Sequence, residues 1–125
     1  MKTKQDVAIL VEKVFSEISF LRESGHKEYA GGENALGNFE RLAATLQMSR
    51  EKVLWTYVTK HLDGIVAWIN GHKSQRESVE GRINDAIVYL ILLRAMVEDS
   101  QEVKEEVIVP MKRLNSVILQ DDELR

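Results

Sequence analysis

Residues 77–93 read ESVEGRINDAIVYLILL. From 86 to 93 every side chain is apolar or aromatic. A helix that is apolar on all sides belongs at the centre of a packed bundle. Asp85 stands at the edge of that run, with Arg82 three residues before it and Tyr89 four after. The three share one helical stripe, and Ser78 lies one turn earlier on it. An ordinary exposed Arg–Asp pair at this spacing is worth only a few tenths of a kcal/mol, roughly. A carboxylate this close to a buried segment is instead paired or used. The stretch therefore sets both the expected fold and the first candidate site.

Working outward, Ser74-Gln75-Arg76-Glu77 has the form of a capping box and is expected to open this helix, which should end near Asp99. Upstream, Ser49 caps a helix over 50–70. Leu54, Val58, Leu62, Ile65 and Ile69 form its apolar face, widened by Trp55 and Val66. Gly71 is placed as the residue past its C-terminal cap. Near the N-terminus, Val7, Leu10, Val11, Val14, Ile18 and Leu21 recur at helical spacing behind a Thr3–Asp6 box. That predicts a first helix over 4–22. Residues 23–37, rich in Gly and Asn, read as a long loop, followed by a short helix starting near Asn38. The segment 100–120 is helical by composition, with Pro110 expected to kink or split it. No stretch alternates like a strand. The expected fold is all-α, four to five helices in one domain over 1–125, with a C-terminal helical extension.

Composition narrows the function. Of 125 residues, 44% are apolar and 30% charged, so the chain is neither disordered nor membranous in character. The longest apolar run is far short of the roughly 20 residues of a membrane span, and the N-terminus lacks the apolar core of a signal peptide. The absence of Cys removes disulfides, thiolate metal ligands and cysteine nucleophiles. It suits a reducing, cytoplasmic setting. A net charge of −3 argues against a nucleic-acid binder that neutralises many phosphates. A small anionic ligand needs only two or three cations and is compatible with it. So modest a core favours a homo-oligomer.

Lys60, His61 and Asp63 interrupt the apolar helix over 50–70. Thr56, Lys60 and Asp63 share a stripe that points away from Leu54 and Val58, which solvent alone explains. An antiparallel turn through 71–77 would instead bring that stripe and the Asp85 stripe to one cleft. Mg²⁺ calls for converging carboxylates; Glu40, Asp63, Glu80 and Asp85 are the available set. His26, His61 and His72 show no zinc spacing. The stretch YAGGENALGN lacks the ending of a phosphate-binding loop and follows no strand. It can still present backbone N–H groups at the start of the Asn38 helix.

Taken in order, HKEYAGGENALGNFERLA, KHLDGIVAW and ESVEGRINDAIVYLILL resemble the nucleotide-modification-associated domains common in phages and prophages. These are related to the all-α MazG-like nucleotide pyrophosphohydrolases. The resemblance covers about residues 20–97. It implies a four-helix core, a dimer or tetramer, and a nucleotide held between helices. The family's enzymes hold Mg²⁺ with Glu-x-x-Glu on one helix and Glu-x-x-Asp on the next. Here Asp85 matches the last acid, Arg82 replaces the Glu before it, and Lys60 and Asp63 fall at the ends of the earlier motif.

The exchange of acids for cations favours direct phosphate contact without hydrolysis. The leading expectation is thus a binder or sequestrant of a nucleotide or nucleotide-derived signal, in keeping with an anti-defence role in a host cytoplasm. Its ligand contacts would be Lys60, Asp63, Arg82, Asp85, Tyr89, Tyr29 and Asn38, with no cofactor. The second is a Mg²⁺-dependent pyrophosphohydrolase using Glu40, Asp63, Glu80 and Asp85. The third is a protein–protein inhibitor module.

Overall fold

The structure is a computed structural model. It describes the backbone of residues 1–29 and 33–123 and the side chains of 1–23 and 33–102. Four helices account for it: α1 (Lys4–Tyr29), α2 (Gly37–Leu46), α3 (Arg50–Ile69) and α4 (Val79–Glu123). No strand occurs among the described residues. The chain divides into two compact units, residues 1–93 and 94–125.

Local chemistry sets the helix ends. The Thr3 backbone N–H donates to Asp6 Oδ2 at 2.8 Å, and the Asp6 N–H donates to Thr3 Oγ1 at 3.1 Å. This is the reciprocal box read from the sequence. The Thr3 backbone N–H, and after it the Thr3 side chain, hold the Asp6 carboxyl below its usual value. A carboxylate lowered by folding supports the helix at neutral pH. That support is lost as pH falls through the lowered value. Ser49 caps α3 by accepting from the Lys52 N–H at 3.2 Å. Gly71, at φ +103°, turns the chain just beyond it.

Three boundaries differ from expectation. α1 continues to Tyr29 rather than ending near 22. Helix formers such as Glu23, Lys27 and Glu28 flank Gly25, and one interior Gly costs only about 1 kcal/mol. Residues 23–29 of the expected loop are therefore helical. α4 opens at Ser78 instead of Ser74: the Gly81 N–H donates to Ser78 Oγ at 3.0 Å. Gln75 is engaged elsewhere, its Nε2 donating to the carbonyls of Gly64 and His72. Finally, α4 is a single element to Glu123, with no break near Asp99 and no division at Pro110. Helix formers on both sides carry it past the one bond that Pro110 cannot make.

In residues 1–93 the buried apolar set is Ile18, Leu36, Phe39, Val53, Leu54, Val58, Ala86 and Leu92. Each helix contributes to it. Asn84, also buried, donates from Nδ2 to Glu17 Oε2 at 2.6 Å and ties α4 to α1. Three expected apolar surfaces are less covered than the sequence suggests. On α1 only Ile18 of the apolar stripe is buried, and on α3 Leu62 and Ile69 are exposed. On α4 the run 86–93 is not buried on every side: Ala86 and Leu92 are buried, but Leu90 and Ile91 are exposed. Periodicity reports which side of a helix is apolar, not how far along it the neighbours reach.

Candidate functional site

The seam between α3 and α4 can be read from three side-chain meetings. Tyr57 stacks on Tyr89 (centroids 5.8 Å apart, 14° between planes), His61 faces Asp85, and Gly64 lies under Arg82. As the number on α3 rises, its partner on α4 falls by the same step. The helices are therefore antiparallel, and the Arg82–Asp85–Tyr89 stripe is the face that α4 turns to α3.

Gly64 gives Arg82 the room for this approach. A Cβ at position 64 would come within 2.5 Å of Arg82 Cδ, Nε and Cζ. Arg82 lies against the α3 backbone with its side chain only 14% exposed. Its Nη1 is 3.6 Å from Glu77 Oε2, and its buried Nε has no hydrogen-bond partner.

His61 is buried beside it, 6% exposed. Tyr89 stacks on its ring at 5.6 Å and 28°. Its Nδ1 is 3.7 Å from Asp85 Oδ2, beyond hydrogen-bond range, and has no hydrogen-bond partner.

On the other side of Asp85 is a cleft of about 290 Å³. α1 supplies Leu21 and Arg22, the turn and α2 supply Ala35, Asn38 and Phe39, and α4 supplies Asp85, Val88, Tyr89 and Leu92. Phe39 meets both Tyr57 and Tyr89 edge-on, at 6.1 and 6.3 Å. Such ring pairs add about 0.5–1.5 kcal/mol beyond their buried area and fix ring orientation. Asn38 is steadied by Arg41, whose Nη2 donates to Asn38 Oδ1 at 3.2 Å. The result is an apolar, aromatic wall with one cation, one amide and one carboxylate.

The structure brings Asn38, Asp85 and Tyr89 together in this cleft. Arg82 is one turn away, committed to the α3 seam. Lys60 and Asp63 are exposed and outside the cleft. The antiparallel turn was read correctly, but the α3 stripe that meets α4 is Tyr57–His61–Gly64, one residue round from Thr56–Lys60–Asp63. One residue is about 100° on a helix. Glu40 pairs with Arg50 at 2.9 Å and accepts from Asn34 Nδ2, also at 2.9 Å. Glu80 is exposed. The side chain of Tyr29 lies outside the described residues.

Arg22, Phe39 and His61 were not among the expected contacts. For His61 a signal existed: Leu54, Val58, His61 and Ile65 are spaced by four, three and four residues, the interval of an inward-facing seam. No family model, no curated protein and no solved structure gives a significant match to this chain.

Proposed function

We propose that the cleft beside Asp85 binds a small nucleotide-like ligand without hydrolysing it. The observation that carries this reading is the placement of Arg22, Asn38 and Asp85 around the wall formed by Phe39 and Tyr89. Small-ligand sites hold about 300–1,000 Å³; this cleft, at about 290 Å³, falls just below that range and suits a base and its ribose. Arg22, half-buried at the edge of the wall, takes the phosphate as a charge-assisted contact. Asp85 and Asn38 meet the polar edges of base or sugar, and Tyr89 gives an apolar surface for the base.

The resemblance to MazG-like pyrophosphohydrolases and their phage relatives agrees with this chemistry. Arg82 in place of an acid, and Glu40 engaged by Arg50, favour holding a nucleotide over Mg²⁺-assisted cleavage. Sequestration of a nucleotide-derived signal is the role that fits.

Calorimetry against nucleotides and cyclic nucleotides tests it. Binding is expected for at least one of them, weakened tenfold or more by Arg22→Ala and by Asp85→Asn, with the melting temperature little changed. Absence of heat with every ligand would sink the proposal. Incubation with each NTP and dNTP plus Mg²⁺ is expected to release no pyrophosphate. Release that Asp85→Asn abolishes would instead establish the hydrolase.

The same reading includes self-association. Val7, Leu10, Val11 and Phe15 lie along one side of α1 and are 43–59% exposed. A second copy offers an equally apolar helix to cover them, as two-fold pairing does. Light scattering is expected to give a multiple of the 14.3 kDa chain mass, falling to one chain in a Leu10→Glu, Phe15→Glu variant. A single-chain mass for the unmodified protein would count against it.

A further inference from the structure

We infer that His61, Glu77 and Asp85 form a binding site for a divalent transition-metal ion such as Zn²⁺. One donor atom from each lies within 4.8 Å of the other two. They come from α3, from the turn before α4 and from α4 itself, so the antiparallel seam is what assembles them. This set shares only Asp85 with the carboxylates expected from the sequence. It does not depend on the cleft binding a nucleotide.

A cluster of acids alone would not suffice, because exposed carboxylates gather without a metal. The second observation is His61. Its side chain is 7% exposed, its Nδ1 points toward Asp85, and that buried nitrogen has no hydrogen-bond partner. A buried polar atom left unpaired loses its hydration without a compensating hydrogen bond. A metal ion is a partner that satisfies the nitrogen and both carboxylates at once.

The donors set the class of ion. Mg²⁺ and Ca²⁺ take oxygen ligands, whereas an imidazole nitrogen with carboxylate oxygens suits Zn²⁺ and its neighbours. Zn²⁺ ligands stand about 2.1 Å from the ion, which puts them about 3.4 Å apart in a tetrahedron. His61 and Asp85 are already near that spacing, at 3.7 Å. Glu77 has the remaining distance to close. Its side chain is 47% exposed and precedes α4, so it is free to do so.

Arg82 is the competing cation at Glu77. Their 3.6 Å separation is too long for a hydrogen bond, and a doubly charged ion bonded to the carboxylate displaces so loose a contact. Tyr89, stacked on the imidazole, fixes the ring plane with Nδ1 toward the ion. Three protein ligands leave one position open to water or to a phosphate oxygen, as in catalytic zinc sites.

The test uses the full chain, stripped with a chelator and titrated with Zn²⁺ alone. Calorimetry gives the stoichiometry, Co²⁺ substitution gives an absorption spectrum, and a thermal melt gives the shift. One ion per chain is expected, with a raised melting temperature that Mg²⁺ at equal concentration does not reproduce. Glu77→Gln, an exposed and structurally mild change, and Asp85→Asn should each weaken binding tenfold or more. A His26→Ala, His72→Ala variant should bind as the unmodified chain does. His61→Gln should remove the nitrogen-dependent part of the Co²⁺ spectrum. Failure to take up one equivalent overturns the site. So does uptake that survives Glu77→Gln and Asp85→Asn, or that disappears with His26 and His72.

Discussion

Leu54→Ala lowers the stability of this chain by about 2–5 kcal/mol, the range for deleting a fully buried leucine side chain. Leu54 is 0% exposed and is among the largest side chains so completely covered. It sits on α3 one turn before Val58, which is 1% exposed, and the edge-on rings of Phe39 and Tyr57 flank the same seam. Total stabilities of about 5–15 kcal/mol are usual for domains, so the variant should unfold at markedly lower urea. A loss below about 1 kcal/mol would show that position 54 is not at the centre of a packed core.

The second large effect is a reversal of sign. Gly64→Ala should destabilise the protein by about 1–3 kcal/mol, the usual cost of inserting a methyl into a filled space. The new Cβ would come to 2.5 Å from each of Arg82 Cδ, Nε and Cζ, so the guanidinium would have to shift. Exposed guanidinium groups move aside easily; this one lies between two helices and is largely covered. In an Arg82→Ala background the obstruction is gone. Gly64→Ala should then stabilise by roughly 0.5–1 kcal/mol, because alanine is the better residue inside a helix. Urea midpoints of the four proteins measure this directly. Destabilisation of equal size in both backgrounds would mean that something other than Arg82 fills the space.

A helix over 86–93 was legible from its apolar run, but its burial on every side was not the outcome: only Ala86 and Leu92 are buried, and Leu90 and Ile91 are 47% and 52% exposed. The caps at Thr3 and Ser49 and the turn at Gly71 were legible because each uses a local hydrogen bond or backbone angle that neighbouring residues determine. The Ser74 box had the right letters, yet Gln75 was drawn to the Gly64 carbonyl by a tertiary contact that no local pattern contains.

Of the candidate site, Asp85 and Tyr89 could be read from the Asp85 stripe. Asn38 was tied to the glycine-rich stretch before α2. Lys60 and Asp63 were misplaced because a helix offers several polar stripes, and only packing selects the one that faces inward. Here the inward stripe carries Gly64, where a Cβ would crowd the Arg82 side chain that lies against the helix. His61 is hard to read for a similar reason: a polar residue in a polar patch reads as solvated until its spacing is set against Leu54 and Val58.

Asp85 stands on the border between the cleft and the His61–Glu77 cluster and belongs to both. A carboxylate shared in this way makes the two neighbourhoods thermodynamically linked. An ion that pulls Asp85 toward His61 alters what the cleft can hold, and by reciprocity the occupant of the cleft alters the ion's affinity by the same factor. Measured in either order, the two binding constants should change together, so the affinity of one ligand reports the presence of the other.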